Sequence, residues 1–184
     1  AVADARVEQE DWEGAVQAYE RVVEAATDPE LERAVSLRLA AIHEGKRADP
    51  SAALPWLERA LAVAPDAHGW LRLAQSAEAA GAIARARRAL RSALDVAPPD
   101  DPVADDVREA LARLSPDPRD RMALLRAVRS PRQPLVAAQR FADAASAAEE
   151  PGAILPVLRR WASEARGAAG KQIRRLLVER ALEA

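Results

Sequence analysis

Two ten-residue segments of this chain, 50–59 and 151–160, are nearly alike although their first residues lie 101 positions apart. Each begins with a proline, carries a second proline five residues later, and contains the pattern Leu-Pro-x-Leu-x-Arg. The separation is close to three times 34, and a repeat period of roughly 20–50 residues is typical of proteins that stack one structural unit. Such proteins mostly bind other molecules, so the repetition constrains function as well as fold.

The composition favours helices throughout the chain. Alanine, leucine, arginine and glutamate fill most positions, Asn is absent, and there are seven glycines. The common residues are strong helix formers, and strand-favouring residues other than Val are scarce. With four Trp, one Tyr and one Phe in the whole chain, the core must be packed mainly from Ala, Leu and Val. The sequence therefore predicts an all-α protein.

Charge and composition disfavour several classes of function. The formal net charge of −2 implies neither nucleic-acid affinity nor membrane attraction, and the apolar stretches are far too short for membrane insertion. Cysteine is absent, which excludes disulfides and thiolate metal sites. Because the chain opens with Ala-Val-Ala-Asp, without Met or a signal segment, we expect an excised fragment or processed product of a larger bacterial protein. The compartment is not indicated, although the lack of a signal segment favours the cytoplasm.

Acidic residues placed directly before prolines mark predicted helix starts. Asp49-Pro50, Asp117-Pro118 and Glu150-Pro151 each have the arrangement of an N-cap followed by proline at the first helical position. Two more starts are predicted near Asp11-Trp12 and Ala82-Ile83. The partner helices are predicted at about 1–9, 31–45, 67–80, 102–114 and 132–148, followed by a terminal helix at about 168–182.

The five helices that follow these starts share one predicted face. Residues at i, i+4 and i+7 project from the same side of a helix. The first positions are Ala15, Ala53, Ala86, Arg121 and Ile154; the second are Tyr19, Leu57, Leu90, Leu125 and Leu158; the third are Val22, Ala60, Ala93, Val128 and Trp161. Each helix is expected to turn this face towards its partners.

The segment from residue 70 to 98 carries a recognisable signature. Its spaced residues are Trp70, Leu73, Ala74, Ala86, Leu90, Ala93 and Pro98. This pattern resembles the tetratricopeptide repeat, a 34-residue helix–turn–helix unit. A second unit matches with Ala40, Ala53, Leu57, Ala60 and Pro65, and with His43 where the family usually has Tyr. The resemblance covers about residues 5–98 and weakens beyond Pro98, where Arg121 occupies a small-residue position.

The resemblance implies a particular architecture. We predict a right-handed α-solenoid of about five antiparallel helix pairs plus a C-terminal capping helix. Residues 1–98 would hold about three repeats, the first of them truncated. Residues 99–184 would hold degenerate helix pairs and the terminal helix, continuous with the first part. In the terminal helix, Ile173, Leu176, Leu177 and Ala181 form the apolar side, with Leu182 beside them, and most of this side is expected to pack on the preceding pair.

Pro55 and Pro156 occupy matching positions in the paired segments. Each is predicted to lie in the second turn of its helix, where it removes one hydrogen bond and kinks the axis. A tolerated kink is the simpler interpretation. The alternative is a kink that shapes a binding surface.

No catalytic constellation is found in the sequence. His43 and His68 lie on different predicted helices without a cluster of metal-ligand spacing. The segment 167–172 faintly resembles the end of a phosphate-binding loop, but such a loop needs Gly at position 165, which is Ala165, and Ser or Thr at position 172, which is Gln172. No strand is predicted before it. No nucleophile elbow surrounds any serine. We therefore predict a protein that is not an enzyme and needs no cofactor or metal.

The tetratricopeptide resemblance also implies where a partner binds. In that family the first helix of each pair lines a concave groove, and the corresponding residues here are Asp4, Glu8, Leu37, Ala41, Glu44, His68, Leu71, Gln75, Glu78, Gln139 and Asp143. The Lys/Asn/Arg clamp of the chaperone-binding members is absent, since the chain has no Asn and these positions lack Lys and Arg. A mildly acidic groove with leucines at its floor would suit a protein or peptide that mixes basic and apolar side chains.

Three functional hypotheses follow from the sequence. The first is a scaffold or adaptor segment that binds a protein partner. The second is a structural spacer or self-assembling element, because residues 1–35 are rich in acids and residues 157–180 are rich in arginine. The third is a regulatory domain attached to an enzyme elsewhere in a longer chain. Nucleic-acid binding at the basic end is disfavoured, since Trp161 is the one aromatic residue there and is predicted to be buried.

Overall fold

The computed structural model describes residues 2–98, 101–165 and 167–183, with side chains described as far as residue 180. Within these residues the chain forms eleven α-helices, one short 3-10 helix and no strand, which confirms the all-α prediction. The first six helices are α1 (Val2–Glu8), α2 (Trp12–Ala25), α3 (Pro29–Gly45), α4 (Pro50–Val63), α5 (Ala67–Ala79) and α6 (Ile83–Val96). The others are α7 (Pro102–Leu114), α8 (Pro118–Ala127), α9 (Pro134–Ala147), α10 (Ile154–Glu164) and α11 (Gly167–Glu183). The 3-10 helix, η1, spans Pro151–Ala153.

The helices are grouped into two compact units, Ala1–Val96 and Ala97–Ala184. In the first unit the helices pack as the pairs α1–α2, α3–α4 and α5–α6, and α2 and α4 also contact the helix that follows them. In the second unit α8 packs on both α7 and α9, while α11 packs on α9 and α10. In the first unit, each predicted first helix therefore packs on the second helix that follows it in the chain. In the second unit α7 packs on α8 in this way, and α9 packs on α8, α10 and α11.

Aspartate caps begin most of these helices. The Asp49 carboxylate accepts a hydrogen bond from the backbone N–H of Ala52 at 3.1 Å, and Asp117 accepts one from Arg119 at 2.9 Å. The prediction of a cap at Glu150 is wrong, because its side chain makes no such bond. Glutamate is longer by one methylene and is a poorer cap than aspartate. The chain after Glu150 first forms η1, so the α-helix begins later than predicted.

The two matching prolines have different surroundings. Pro55 is the sixth residue of α4, inside the helix, where it removes one backbone hydrogen bond as predicted. Pro156 is the third residue of α10. The first four N–H groups of a helix have no partner within it, so Pro156 removes none. The prediction that Pro156 interrupts its helix is therefore wrong, because η1 delays the start of α10.

Most residues of the predicted apolar faces lie in the cores of the two units, while Val22 and Arg121 are only partly buried. Ala53, Leu57 and Ala60 are buried on α4, as are the equivalent residues of α6. In the second unit Phe141 and Trp161 meet edge to face, with ring centroids 5.9 Å apart. The Trp161 indole N–H donates to the Val128 carbonyl at 3.1 Å, which satisfies a polar group that is otherwise buried. These contacts hold α9, α10 and the end of α8 together.

The described side chains of the terminal helix α11 pack on the second unit mainly through Ile173. Ile173 is fully buried, and Leu176 and Leu177 are partly buried against the same cluster. Val178, on another side of the helix, is 56% exposed. The described part of the predicted apolar side therefore packs on the second unit, and the side chains of Ala181 and Leu182 lie outside the described residues.

Candidate functional site

The surface formed by α1, α3 and α5, here called the first-helix surface, carries the residues predicted to bind a partner. At its beginning the Tyr19 hydroxyl donates to Asp4 Oδ1 at 2.7 Å. Arg38 Nη1 donates to the same carboxylate oxygen at 2.8 Å and to the Tyr19 hydroxyl oxygen at 3.1 Å. The hydrogen bond from Tyr19 lowers the pKa of Asp4, while burial and the bond to Asp4 raise the pKa of Tyr19. These three side chains join α1, α2 and α3.

A second cluster joins α3 to α5. Arg72 Nε and Nη2 both donate to Glu44 Oε2, at 3.0 and 2.6 Å. The hydroxyl of the buried Ser76, one turn further along α5, donates to Glu44 Oε1. The side chains of Arg72 and Glu44 are 35% and 23% exposed, so the ion pair is partly shielded from water. Both carboxylate oxygens of Glu44 are therefore engaged.

These clusters change the expected charge of the first-helix surface. Asp4 and Glu44 were predicted to make it acidic, and each is matched by an arginine from the next first helix, Arg38 or Arg72. Sequence reasoning missed both arginines. A signal was present, since Arg38 and Arg72 are 34 residues apart and so recur at the repeat period.

Two open clefts meet at Arg72. One has a volume of about 250 Å³ and lies between α3, α4 and α5, where Leu37 and the α4 residue Leu61 provide apolar surface. The ion pair of Arg33 and Asp66 and the side chain of His68 border the same cleft. The other has a volume of about 600 Å³ and is lined by residues of α3, α5 and the start of α4, among them Arg72 and Gln75. The first can accept an apolar side chain, and the second offers a hydrogen-bonding amide beside an ion pair.

The predicted site residues are distributed unequally. Leu37 and His68 line the smaller cleft of the first unit, and Glu44 and Gln75 line the larger one. Asp4 belongs to the Tyr19 cluster, Leu71 and Glu78 are half-buried on α5, and Glu8 and Ala41 are exposed on α1 and α3. Gln139 and Asp143 are exposed on α9 of the second unit. Binding by these residues stays a prediction.

His43 is placed in the core of the first unit. It is 6% exposed, and its Nδ1 atom has no hydrogen-bond partner among the described residues. Burial and the nearby Arg47 lower its pKa, so the imidazole is held neutral.

Among the described residues, no group of three or more His, Asp or Glu side chains is arranged to hold a metal ion. None of the described helices combines the length and apolar character needed to cross a membrane.

The all-helical structure fits a tetratricopeptide-like helical repeat. No protein-family model matches the sequence, and no curated protein matches it. Solved structures do resemble it. Two crystal structures of MamA cover 88% of this chain, and 92% and 87% of their own, at 15% and 16% identity with TM-scores of 0.60 and 0.62. BtubC (BKLC) from P. vanneervenii covers 95% of this chain and 78% of its own, at 18% identity with a TM-score of 0.57. At these identities the likeness supports the fold alone.

Proposed function

We propose that this chain is a non-enzymatic protein-interaction segment that binds a partner along the first-helix surface of its first unit. The observation that carries this proposal is the pair of clefts on either side of Arg72, because together they offer apolar and polar contacts along neighbouring helices. Binding sites of helical repeats are extended surfaces of this kind. The protein would serve as a scaffold or adaptor.

The chemistry of the two clefts favours an extended peptide segment of the partner that carries an apolar side chain for one cleft and a polar side chain for the other. An apolar side chain would enter the smaller cleft, where Leu37 and Leu61 offer apolar surface. Burying such a side chain contributes on the order of 1.5–3 kcal/mol. A polar or basic side chain would reach Gln75 and the edge of Glu44 in the larger cleft. A basic group there would share Glu44 with Arg72, so the amide of Gln75 is the more accessible contact.

The proposal can be tested by selecting peptides from a random displayed library and measuring their binding by fluorescence anisotropy. Leu37→Ala and Gln75→Ala should each lower the affinity for a selected peptide by about fivefold or more, since each removes a contact of about 1 kcal/mol. Arg91→Ala is the control, because Arg91 is exposed on the second helix α6. Peptides whose affinity responds to neither Leu37 nor Gln75 would place the partner elsewhere and contradict the proposal.

Self-assembly is the competing function, and the same protein tests it. Light scattering at two protein concentrations and two salt concentrations reports whether the chain forms oligomers, and pairing of charged ends should weaken with salt. Several charges near the two ends are already engaged inside their own units. Asp11 pairs with Arg6 at 2.9 Å, and Arg174 donates to the Ala162 carbonyl at 3.1 Å. Salt-sensitive oligomers, with no peptide selected, would support self-assembly instead.

A further inference from the structure

A separate cleft lies entirely within the second unit, between α7, α8 and α9. Its volume is about 390 Å³. Cavities that hold small molecules typically measure about 300–1,000 Å³, so this cleft is at the lower end of that range. Its lining consists of Ala112, Arg113, Arg121, Leu125, Arg140, Asp143, Ala144 and Ala147. The cleft is therefore lined by both small apolar side chains and guanidinium groups.

The apolar part of the lining is well defined. Ala112, Leu125 and Ala144 are each buried to within a few per cent and come from three different helices. Alanine side chains leave room where the helices approach one another, and this room forms the cleft. A ligand that enters it would exchange water for methyl groups, which favours an apolar body.

The charged part of the lining is mostly basic. Arg113, Arg121 and Arg140 contribute three cations, against the single carboxylate of Asp143. That carboxylate lies 3.9 Å from Arg180 Nη2, so part of its charge is already balanced. A guanidinium donates in a planar fork that fits a carboxylate, and it remains charged at every physiological pH.

Arg121 is the most informative of these residues. It occupies the small-residue position of the repeat pattern, and its Nε atom is buried without a hydrogen-bond partner among the described residues. A buried N–H group without a partner is costly, so an acceptor at this position would be favourable. The side chain is held beside the apolar floor, where an anion would complete its surroundings.

We propose that this cleft binds a small organic carboxylate with an apolar body. The carboxylate would lie between the guanidinium groups of Arg121 and Arg140, and the body would lie on the alanine and leucine floor. The site is confined to the second unit and does not depend on the partner surface of the first. An inorganic anion would lack the body, and a neutral alcohol would lack the charge.

The test uses the whole chain labelled with ¹³C at its alanine methyl groups and titrated with hexanoate. Shift changes should be confined to the methyl groups of Ala112, Ala144 and Ala147, with a dissociation constant on the order of 1 mM. Hexanol, acetate and inorganic phosphate are titrated separately, and each should bind at least about tenfold more weakly, because each lacks one of the two contacts. The absence of shifts with hexanoate, or equal binding of acetate or phosphate, would overturn the proposal.

Variants separate the site from a general effect of charge. Arg121→Gln and Arg140→Gln should each weaken hexanoate binding by about tenfold, since each loses a charged hydrogen bond. Arg119→Gln, on an exposed part of α8, makes the same charge change outside the cleft and should leave the affinity unaltered. Asp143→Asn should tighten binding severalfold because it removes the opposing charge, and this gain cannot result from misfolding. Unchanged affinity in Arg121→Gln and Asp143→Asn would overturn the assignment.

Discussion

Arg72 on α5 holds Glu44 on α3 through two hydrogen bonds to a single carboxylate oxygen. Arg38, 34 residues earlier, makes the corresponding link from α3 back to Asp4 on α1. The acid that corresponds to Glu44 in the first repeat is Glu10, which lies beyond the end of the short α1 with φ of 57°. Because Glu10 has left the helix, Arg38 reaches Asp4 instead. Successive first helices of the first unit are thus joined by arginine–carboxylate links that adapt to helix length.

Replacing Arg72 by Met should destabilise the first unit. The change leaves Glu44 with only Ser76 as a donor, so we expect the free energy of unfolding to fall by about 1 kcal/mol. Urea denaturation followed by circular dichroism measures this. Arg91→Met, on an exposed part of α6, is the matched control and should stay within about 0.5 kcal/mol of the parent. A double-mutant cycle with Glu44→Gln that shows no coupling would contradict a stabilising pair.

The two matching prolines should respond in opposite directions to alanine. Pro55→Ala restores a hydrogen bond inside α4, and we expect a gain of about 1–2 kcal/mol after allowing for the more flexible unfolded chain. Pro156→Ala restores none, because Pro156 lies in the first turn of α10, so only the added flexibility remains and stability should fall by about 0.5 kcal/mol. Chemical denaturation of both variants provides the comparison. Equal changes in the free energy of unfolding for the two variants would contradict the different positions of the two prolines in their helices.

Burial of His43 predicts a loss of stability in mild acid. Its pKa in the folded chain is below the ordinary value of 6.5, through burial and Arg47, despite the opposing effects of Asp49, Glu20 and Glu13. The unfolded chain therefore binds a proton more readily, and this contribution to stability is intact above about pH 6.5 and is lost as the pH falls towards and through the folded pKa.

The His43 effect can be isolated by substitution. Thermal denaturation of the parent and of His43→Leu between pH 8 and 5 should show a smaller acid-induced decrease in the variant. His68→Gln removes the other, exposed histidine and should keep the decrease of the parent. If His43→Leu and His68→Gln follow the same pH dependence, the acid sensitivity arises from other groups.

Tyr19 offers a direct spectroscopic measurement, because it is the one tyrosine of the chain. Its absorbance change at alkaline pH should have a midpoint above the ordinary value of 10.0, through burial first and the bond to Asp4 second. Asp4→Asn should lower this midpoint, since it removes the negative charge that favours the protonated phenol and leaves only a weaker, neutral acceptor. Arg38→Gln should raise it, since Arg38 stabilises the phenolate. Shifts of the same sign in both variants would contradict the cluster.

Much of the fold could be predicted because its signals are local. Pro50 and Pro118, each preceded by a capping aspartate, begin helices as predicted, and the spacing of Ala53, Leu57 and Ala60 marks the buried face of α4. A cap and a helical face depend on residues a few positions apart, so a single sequence contains them. The candidate site could be predicted from the sequence only in part. Leu37 and Gln75 line clefts of the first unit, whereas Ala41 lines neither of them.

The sequence by itself thus determined that the chain is helical, where most helices begin, and that they recur at a period near 34 residues. Only the tertiary structure decided that Arg38 and Arg72 neutralise acids of the preceding first helix, that Pro156 lies in a first turn, and that Arg121 borders an apolar cleft. The physical reason is distance along the chain. Helix formation depends on neighbours within a few residues, whereas ion pairs and clefts require side chains from different helices to meet, and their meeting depends on how the helices pack.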